Sequence, residues 1–265
     1  MDDISVTFDT CSLDTVVCPE TSQHKNGKIN GSKVRAAIEA GHVRGFYCVT
    51  LVTLEGVRRK ERREVLGRTR PVSWSSSTGK NTINITIGIE HHRKPLDPKF
   101  LRRIQVSEAM GMRALRGPAR MCGIRARDDQ VKFFEPHESV LELERCMDKV
   151  NDLSSAIGAR RIGYAVPVEL GLQFLTPDEI AKPTLWFEGL RRSRSHKRVA
   201  RVINEWADAD SVAAHYGYGI DLFCTEDKGR NAGGPSVLDD TNRAWLQKEY
   251  GVTFVSLEEL AKRLS

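Results

Sequence analysis

One stretch constrains this chain more than any other: Asp208 to Lys228, DADSVAAHYGYGIDLFCTEDK. Asp208 and Asp210 precede a run of small helix-forming residues, Val212 to Ala214, which Gly217 and Gly219 break. Ile220 to Cys224 then reads as a short buried strand closing on Thr225-Glu226-Asp227. A helix feeding a strand with a carboxylate at its C-terminal end belongs to open parallel α/β sheets, where ligands bind outside the carboxyl ends of the strands. Asp227 is therefore placed where chemistry is expected. Asp208 is expected to cap the preceding helix and to face the same crevice. Either Asp alone also fits a plain cap or a strand-end turn, and Asp210, Asp221 and Glu226 read as surface groups.

Acidic partners lie far upstream. Ile4 to Phe8 is a β-rich run closing on Asp9-Thr10-Cys11. Phe46 to Val52 is another apolar run, and it passes into Glu55 on the expected first turn of a basic helix, LEGVRRKERREVL. Four carboxylates from four segments are thus candidates for one pocket. Crowded carboxylates repel one another, and a shared proton or a bound cation relieves them. Mg²⁺ or Mn²⁺ suits ligands that are all oxygen.

In this order and placement the residues resemble the PIN-domain nucleases. That family's pattern is an Asp ending the first strand, a Glu in the helix after the second, an Asp opening a late helix and a T-x-D after the next strand. Here these fall on Asp9, Glu55, Asp208 and Asp227, and the closing segment SVLDDTNRAWLQKEYGVTFVSLEELAKRL resembles the family's last helix, strand and helix. The resemblance covers about residues 1–66 and 195–265. It implies an α/β fold of three layers, α/β/α, with a central parallel sheet, forming a single PIN-like domain over 1–265 with a large mid-chain insertion within about 68–190. It further implies a metal-dependent endoribonuclease that hydrolyses RNA phosphodiester bonds, of toxin or RNA-processing type. In that reading Asp9 and Asp227 are the principal ligands of Mg²⁺ or Mn²⁺, Glu55 and Asp208 hold a second ion or its waters, and Thr225 orients a carboxylate or the attacking water. A catalytically inactive PIN-like module binding RNA or protein is the alternative. An antitoxin or other protein partner, and a homo-oligomer, stay open.

Charge distribution fits a polyanionic partner. The net charge is +6 and the pI about 9.0. One basic cluster, Arg58, Arg59, Lys60, Arg62, Arg63, Arg68 and Arg70, follows Glu55 directly. A second, Arg191, Arg192, Arg194, His196, Lys197, Arg198 and Arg201, comes just before Asp208. From these, Arg58, Arg59, Lys60, Arg194 and Lys197 are expected to hold the RNA backbone. Two solvated helix faces are the competing reading.

Several classes are excluded. With 40% hydrophobic and 29% charged residues the chain has an ordinary globular composition, and no apolar run is long enough to span a bilayer, so a cytoplasmic protein without membrane contact is expected. Six scattered cysteines contain no C-x-x-C pair and read as reduced thiols, with no His or Asn placed to activate Cys11. A haloacid-dehalogenase-type phosphatase would want D-x-D where Asp9-Thr10-Cys11 stands, and a dinucleotide site would want a glycine-rich turn there.

Between the two ends the pattern is less regular. Ser12 to Asn30 reads as a loop of about 18 residues or a short broken helix, with Ser32 capping the next helix. Arg68 to Thr82 reads as an exposed loop and Asn81 to Glu90 as a half-buried strand. Asp97-Pro98 opens a helix running to about Arg116. Met121 to Ile124 and Ile162 to Val168 are candidate strands, the latter for the main sheet. Glu135 to Ile157 reads as an amphipathic helix whose stripe of Val140, Leu143, Met147, Val150 and Leu153 is core. A helix from Ser195 is expected to end at Trp206.

Overall fold

In the computed structural model, which describes residues 4–67, 70–77, 83–90, 96–118, 131–180, 186–229 and 234–264, the βα alternation at both chain ends builds one parallel sheet. The first half runs β1 (Ile4–Phe8), α1 (Thr10–Val17), α2 (Lys25–Glu39), β2 (Val43–Cys48), α3 (Arg59–Gly67), β3 (Arg70–Ser77), β4 (Ile83–Glu90), α4 (Pro98–Ala109) and β5 (Arg113–Leu115). There follow α5 (Val140–Ala159), α6 (Ala165–Leu172), α7 (Pro177–Ile180), α8 (Trp186–Arg192), α9 (His196–Gly217), β6 (Leu222–Cys224), α10 (Asp240–Tyr250), β7 (Phe254–Val255) and α11 (Leu257–Arg263). The five-stranded sheet has the order β5-β2-β1-β6-β7, and every pairing in it is parallel.

Side chains alternate between two covered faces, as the period of a strand requires. Val6, Phe8, Leu222 and Cys224 share a cluster with Leu13 of α1, Val34 of α2 and Leu260 of α11. Phe223, between the last two strand residues, packs instead with Leu153 of α5, Val212 of α9 and Leu246 of α10. Thr7 points the same way as Phe223, and its hydroxyl meets His215 Nδ1 of α9 at 3.1 Å. The sheet is therefore sandwiched between helices.

Several sequence expectations are corrected. The Phe46 strand ends at Cys48, not near Val52, because the chain turns helical at Val49. Of the two forms expected for the segment 12–30 the broken helix is the one found, with Asp9 capping α1, but α2 begins at Lys25 and is not capped by Ser32. Arg70 to Ser77 is a strand, paired antiparallel with β4 in a separate two-stranded sheet, because backbone pairing needs no apolar alternation. Ile162 to Val168 is a turn leading into α6, and the fifth strand of the main sheet is β5, drawn from the expected insertion. The helix expected to reach Arg116 stops at Ala109, where Gly111 adopts a φ of 86° and lets the chain reverse into β5. In α5 Val150 and Leu153 are buried, whereas Val140 in the first turn is exposed. Met121 to Ile124 lies outside the described residues.

Helix α9 packs against α6, and α6 is backed by α8. Gly171 of α6 and Gly189 of α8 let those two helices touch through their backbones: a Cβ on Gly189 would lie 1.8 Å from the Gly171 carbonyl oxygen. This contact holds Trp186 edge-on against Trp206 of α9, ring centres 6.1 Å apart. Gly189→Ala should therefore cost about 1–3 kcal/mol by overpacking. A lowered urea midpoint at unchanged slope is the expected measurement, and an unchanged midpoint would mean that the helices have room to part.

Candidate active site

Strand order reverses between β1 and β6, with β2 and β5 on one side and β7 on the other. Such a reversal opens a crevice at the carboxyl ends of the two strands, where doubly wound sheets bind ligands. Asp9 and Thr225 stand at those ends. The Asp9 amide donates to the Cys224 carbonyl at 3.1 Å, and its buried carboxylate caps α1 by accepting from Ser12 N at 2.8 Å. Thr225 Oγ1 donates to Asp9 Oδ2 and itself accepts from Asp227 N at 3.1 Å. One hydroxyl thus ties the two strand ends and the T-x-D turn together.

Asp227 is held by its surroundings as well. Its Oδ1 accepts from Gly229 N at 2.8 Å, and its carbonyl accepts from Arg243 of α10. Arg243 is half-buried over the Phe254 ring at 4.9 Å and donates from Nε to the Leu238 carbonyl at 2.7 Å. Burial pulls the Arg243 pKa down, while the charges of Asp9, Asp240, Asp227 and Glu226 raise it. Nothing in the sequence singled out this cation.

Glu55 arrives on a π-helical turn, Leu51–Glu55, and not on the first turn of the basic helix, which begins at Arg59. Apolar Leu51, Val52 and Leu54 are buried, leaving Glu55 to face the crevice edge, where it accepts from Thr10 Oγ1. Arg62, read with its neighbours as part of an RNA-binding run, is instead buried beneath this turn. It donates to the Glu55 and Val57 carbonyls at 2.9 and 3.0 Å and to Asn204 Oδ1 at 2.5 Å.

Asp208 caps nothing. It lies within α9, whose cap is Ser195, because no breaker separates Trp206 from Gly217. The polar residues around it are satisfied inside the helix: Trp206 Nε1 donates to Asp210 Oδ2 at 2.9 Å and Ser211 Oγ to the Ala207 carbonyl at 2.8 Å. Asp210 is accordingly buried, contrary to the surface role expected of it. Asp221 accepts from Ser5 N at 2.9 Å at the far end of β1, and Glu226 accepts from Leu257 N at 2.7 Å.

Electrostatics joins the four expected acids. Burial raises the Asp208 pKa well above its ordinary value, and the charges of Glu55, Glu205, Asp9 and Asp227 raise it further. Burial also raises Asp9 and Glu55, against the hydrogen bonds of Thr225 and Thr10. Asp14 of α1, which the sequence did not mark, joins them. Burial first, then the Glu55 and Asp9 charges, push its pKa up to about 6, against the pull of Arg103 at 2.9 Å. Although the Cys11 residue is exposed, desolvation of its sulfur and the Asp9 carboxylate at 3.1 Å push the thiol pKa up, which disfavours a thiolate nucleophile.

The remaining expected groups are exposed. Arg58, Arg59 and Lys60 are exposed at the start of α3, with Arg58 paired to Asp97 at 3.4 Å, and Arg194 and Lys197 are exposed at the start of α9. Arg68 lies outside the described residues. The cysteines at 11, 18, 48, 146 and 224 are free thiols, and Cys122 lies outside the described residues. Among the described residues no helix is long and apolar enough to cross a membrane.

As a donor set the acids suit a hard divalent cation, being all oxygen and mutually repulsive. As they stand, hydrogen bonds turn Asp9 toward Thr225, Glu55 toward Thr10 and Asp227 toward Gly229. No three His, Cys, Asp or Glu side chains among the described residues are close enough to hold one ion in this arrangement. No family model, curated protein or solved structure matches the chain.

The raised carboxyls set a pH dependence with a definite sign. A raised folded-state pKa stabilises below the unfolded value, about 3.9, and that contribution is lost as pH climbs through the folded one. His215, buried and lowered to about 3, acts oppositely but equally in wild type and variant. Asp208→Asn in metal-free buffer should therefore melt at or above the wild type at pH 8, with the gap closing toward pH 4. A variant less stable at pH 8 would make Asp208 a structural acid.

Proposed function

We propose that this chain is a PIN-like, Mg²⁺- or Mn²⁺-dependent ribonuclease that hydrolyses RNA phosphodiester bonds at the β1/β6 switch point. The observation that carries the reading is Asp208, half-buried in α9, whose pKa is raised by loss of hydration and by the charges of Asp9, Glu55 and Asp227 on three other segments. Carboxyls raised by desolvation and like charges cluster at functional sites, and the crevice at the strand ends is where ligands of parallel sheets bind.

Each side chain then has a role in the reaction. Asp9 and Asp227 would hold a cation, with Glu55 and Asp208 on a second ion or its waters. When bound, such a cation supplies Lewis acidity toward a phosphoryl oxygen and makes water more acidic. Thr225 holds Asp9 and the Asp227 turn in register, so both carboxylates approach from fixed strand ends. Thr10 does the same for Glu55. Arg243 anchors the Asp227 carbonyl and offsets part of the acidic charge. Arg58, Arg59, Lys60, Arg194 and Lys197 are exposed cations that would draw the RNA backbone in. Cation binding requires the acids to turn from their present hydrogen bonds, and that open spacing favours one competing reading: a PIN-like module that binds RNA or protein without cleaving it.

Cleavage and melting measured on the same proteins decide between them. Wild type should cleave a labelled RNA only with Mg²⁺ or Mn²⁺, and either ion should raise its melting temperature. Asp208→Asn should lose cleavage by at least a hundredfold and lose most of the metal-induced rise. Wild-type protein that retards the RNA, leaves it whole and melts alike with and without the ion would establish the binding module instead.

A further inference from the structure

Beside the N-terminal half of α9 lies a cleft of about 600 Å³, within the range of small-ligand sites. Its charged lining is Arg161, Lys197, Arg198 and Arg201 against Glu169 and Glu205. Glu169 is paired, while Glu205 uses Oε1 only and its buried Oε2 meets no hydrogen-bond donor among the described residues. Glu169 takes both oxygens to Arg161, at 2.8 and 3.1 Å, and buried Glu205 accepts from Gly163 N at 3.0 Å and Val237 N at 2.9 Å. Arg198 donates to Gln173 Oε1 at 2.9 Å. Lys197 and Arg201 are exposed and hold no ion pair with another described residue. Ser195, the cap of this 22-residue helix, also lines the cleft, so the positive end of the α9 dipole adds to the same field.

The cleft and Asp208 are linked along α9. Lys197, Arg201, Glu205 and Asp208 follow one another at helical spacing and share one face of α9. At 1.5 Å per residue, Arg201 lies about 10 Å and Lys197 about 16 Å along the axis from Asp208. Glu205, which lines the cleft, is also one of the charges that raises Asp208.

We propose that this cleft is a phosphate-binding subsite for the RNA chain, seating a backbone phosphate away from the bond that is cut, with Arg201 and Lys197 as its anchors. The proposal rests on RNA being the partner of the acidic site and adds the place where a second part of the strand is held. A second anchoring point fixes the strand's register along α9, so cleavage distance from a bound phosphate becomes a property of the helix.

Fluorescence anisotropy of a labelled RNA oligonucleotide in EDTA tests it without cleavage. Arg201→Glu, an exposed change, should weaken binding about tenfold and flatten the salt slope by about 1 to 2, as expected for lost phosphate contacts. Lys149→Glu on α5 makes the same net-charge change and should stay within twofold of wild type. If Arg201→Glu binds no worse than Lys149→Glu, the subsite is overturned and the acidic site is untouched. If adenosine monophosphate binds wild type as tightly as the oligonucleotide does, the cleft takes a free nucleotide, and its assignment to an RNA chain fails. Arg201-dependent binding in a protein that cleaves nothing with any divalent ion would sink the nuclease reading and leave the subsite standing.

Discussion

The placement of one carboxyl group constrains the rest of the molecule. Asp208 sits half-buried in the middle of a helix, with like charges arriving from the end of β1, the Leu51–Glu55 turn and the segment after β6. A tenfold bias against the charged form is worth about 1.4 kcal/mol, so several such groups consume a sizeable part of a net stability of roughly 5–15 kcal/mol. The scaffold must supply that from elsewhere. It does so along α9, whose small residues let neighbours close in: a Cβ on Gly217 would lie 2.2 Å from Val150 of α5, and one on Gly163 2.5 Å from Ala209. The same helix buries Trp206 with its indole N–H satisfied by Asp210.

The parts legible in the sequence were those encoded by short-range rules. Strands closing on Asp9 and on Thr225-Glu226-Asp227 were readable because apolar runs of that length end at polar turns. The run around Asp208 was misread because Asp is also a strong helix-capping residue, and propensity alone cannot tell a cap from a mid-helix acid. What decided it was tertiary: the face carrying Val202, Trp206, Ala209 and Val212 is buried without interruption. Likewise β5 is a three-residue strand with an exposed Arg113, too short to show a period, and only its pairing with β2 defines it.

Charge shows the same limit more sharply. In the sequence Arg58 to Arg63 is a run of cations, and counting cannot separate those that face a ligand from those that build the fold. The structure divides them. Arg59 and Lys60 are exposed, whereas Arg62 spends all three of its nitrogen positions on the Glu55 turn and on Asn204 of α9. Arg243, isolated in sequence from any basic run, donates to the Asp227 carbonyl of the T-x-D turn. Both are cations whose work is to hold carbonyl groups of acid-bearing segments, which is a three-dimensional role with no linear pattern.

The hydrogen bonds that position the acids also oppose any cation they would bind. Thr225 and Ser12 N occupy Asp9, Thr10 occupies Glu55, and burial favours protons on Asp208 and Asp14. Coordination must displace some of these bonds and release the protons, so affinity rises with pH as the carboxyls ionise. Hydroxyl partners are well suited to such an exchange, since a threonine can rotate its proton away and offer a lone pair without moving its backbone. A lysine in the same place would have held the acids permanently. The choice of Thr10 and Thr225 leaves the charges crowded but releasable, at strand and helix ends fixed by the sheet beneath them.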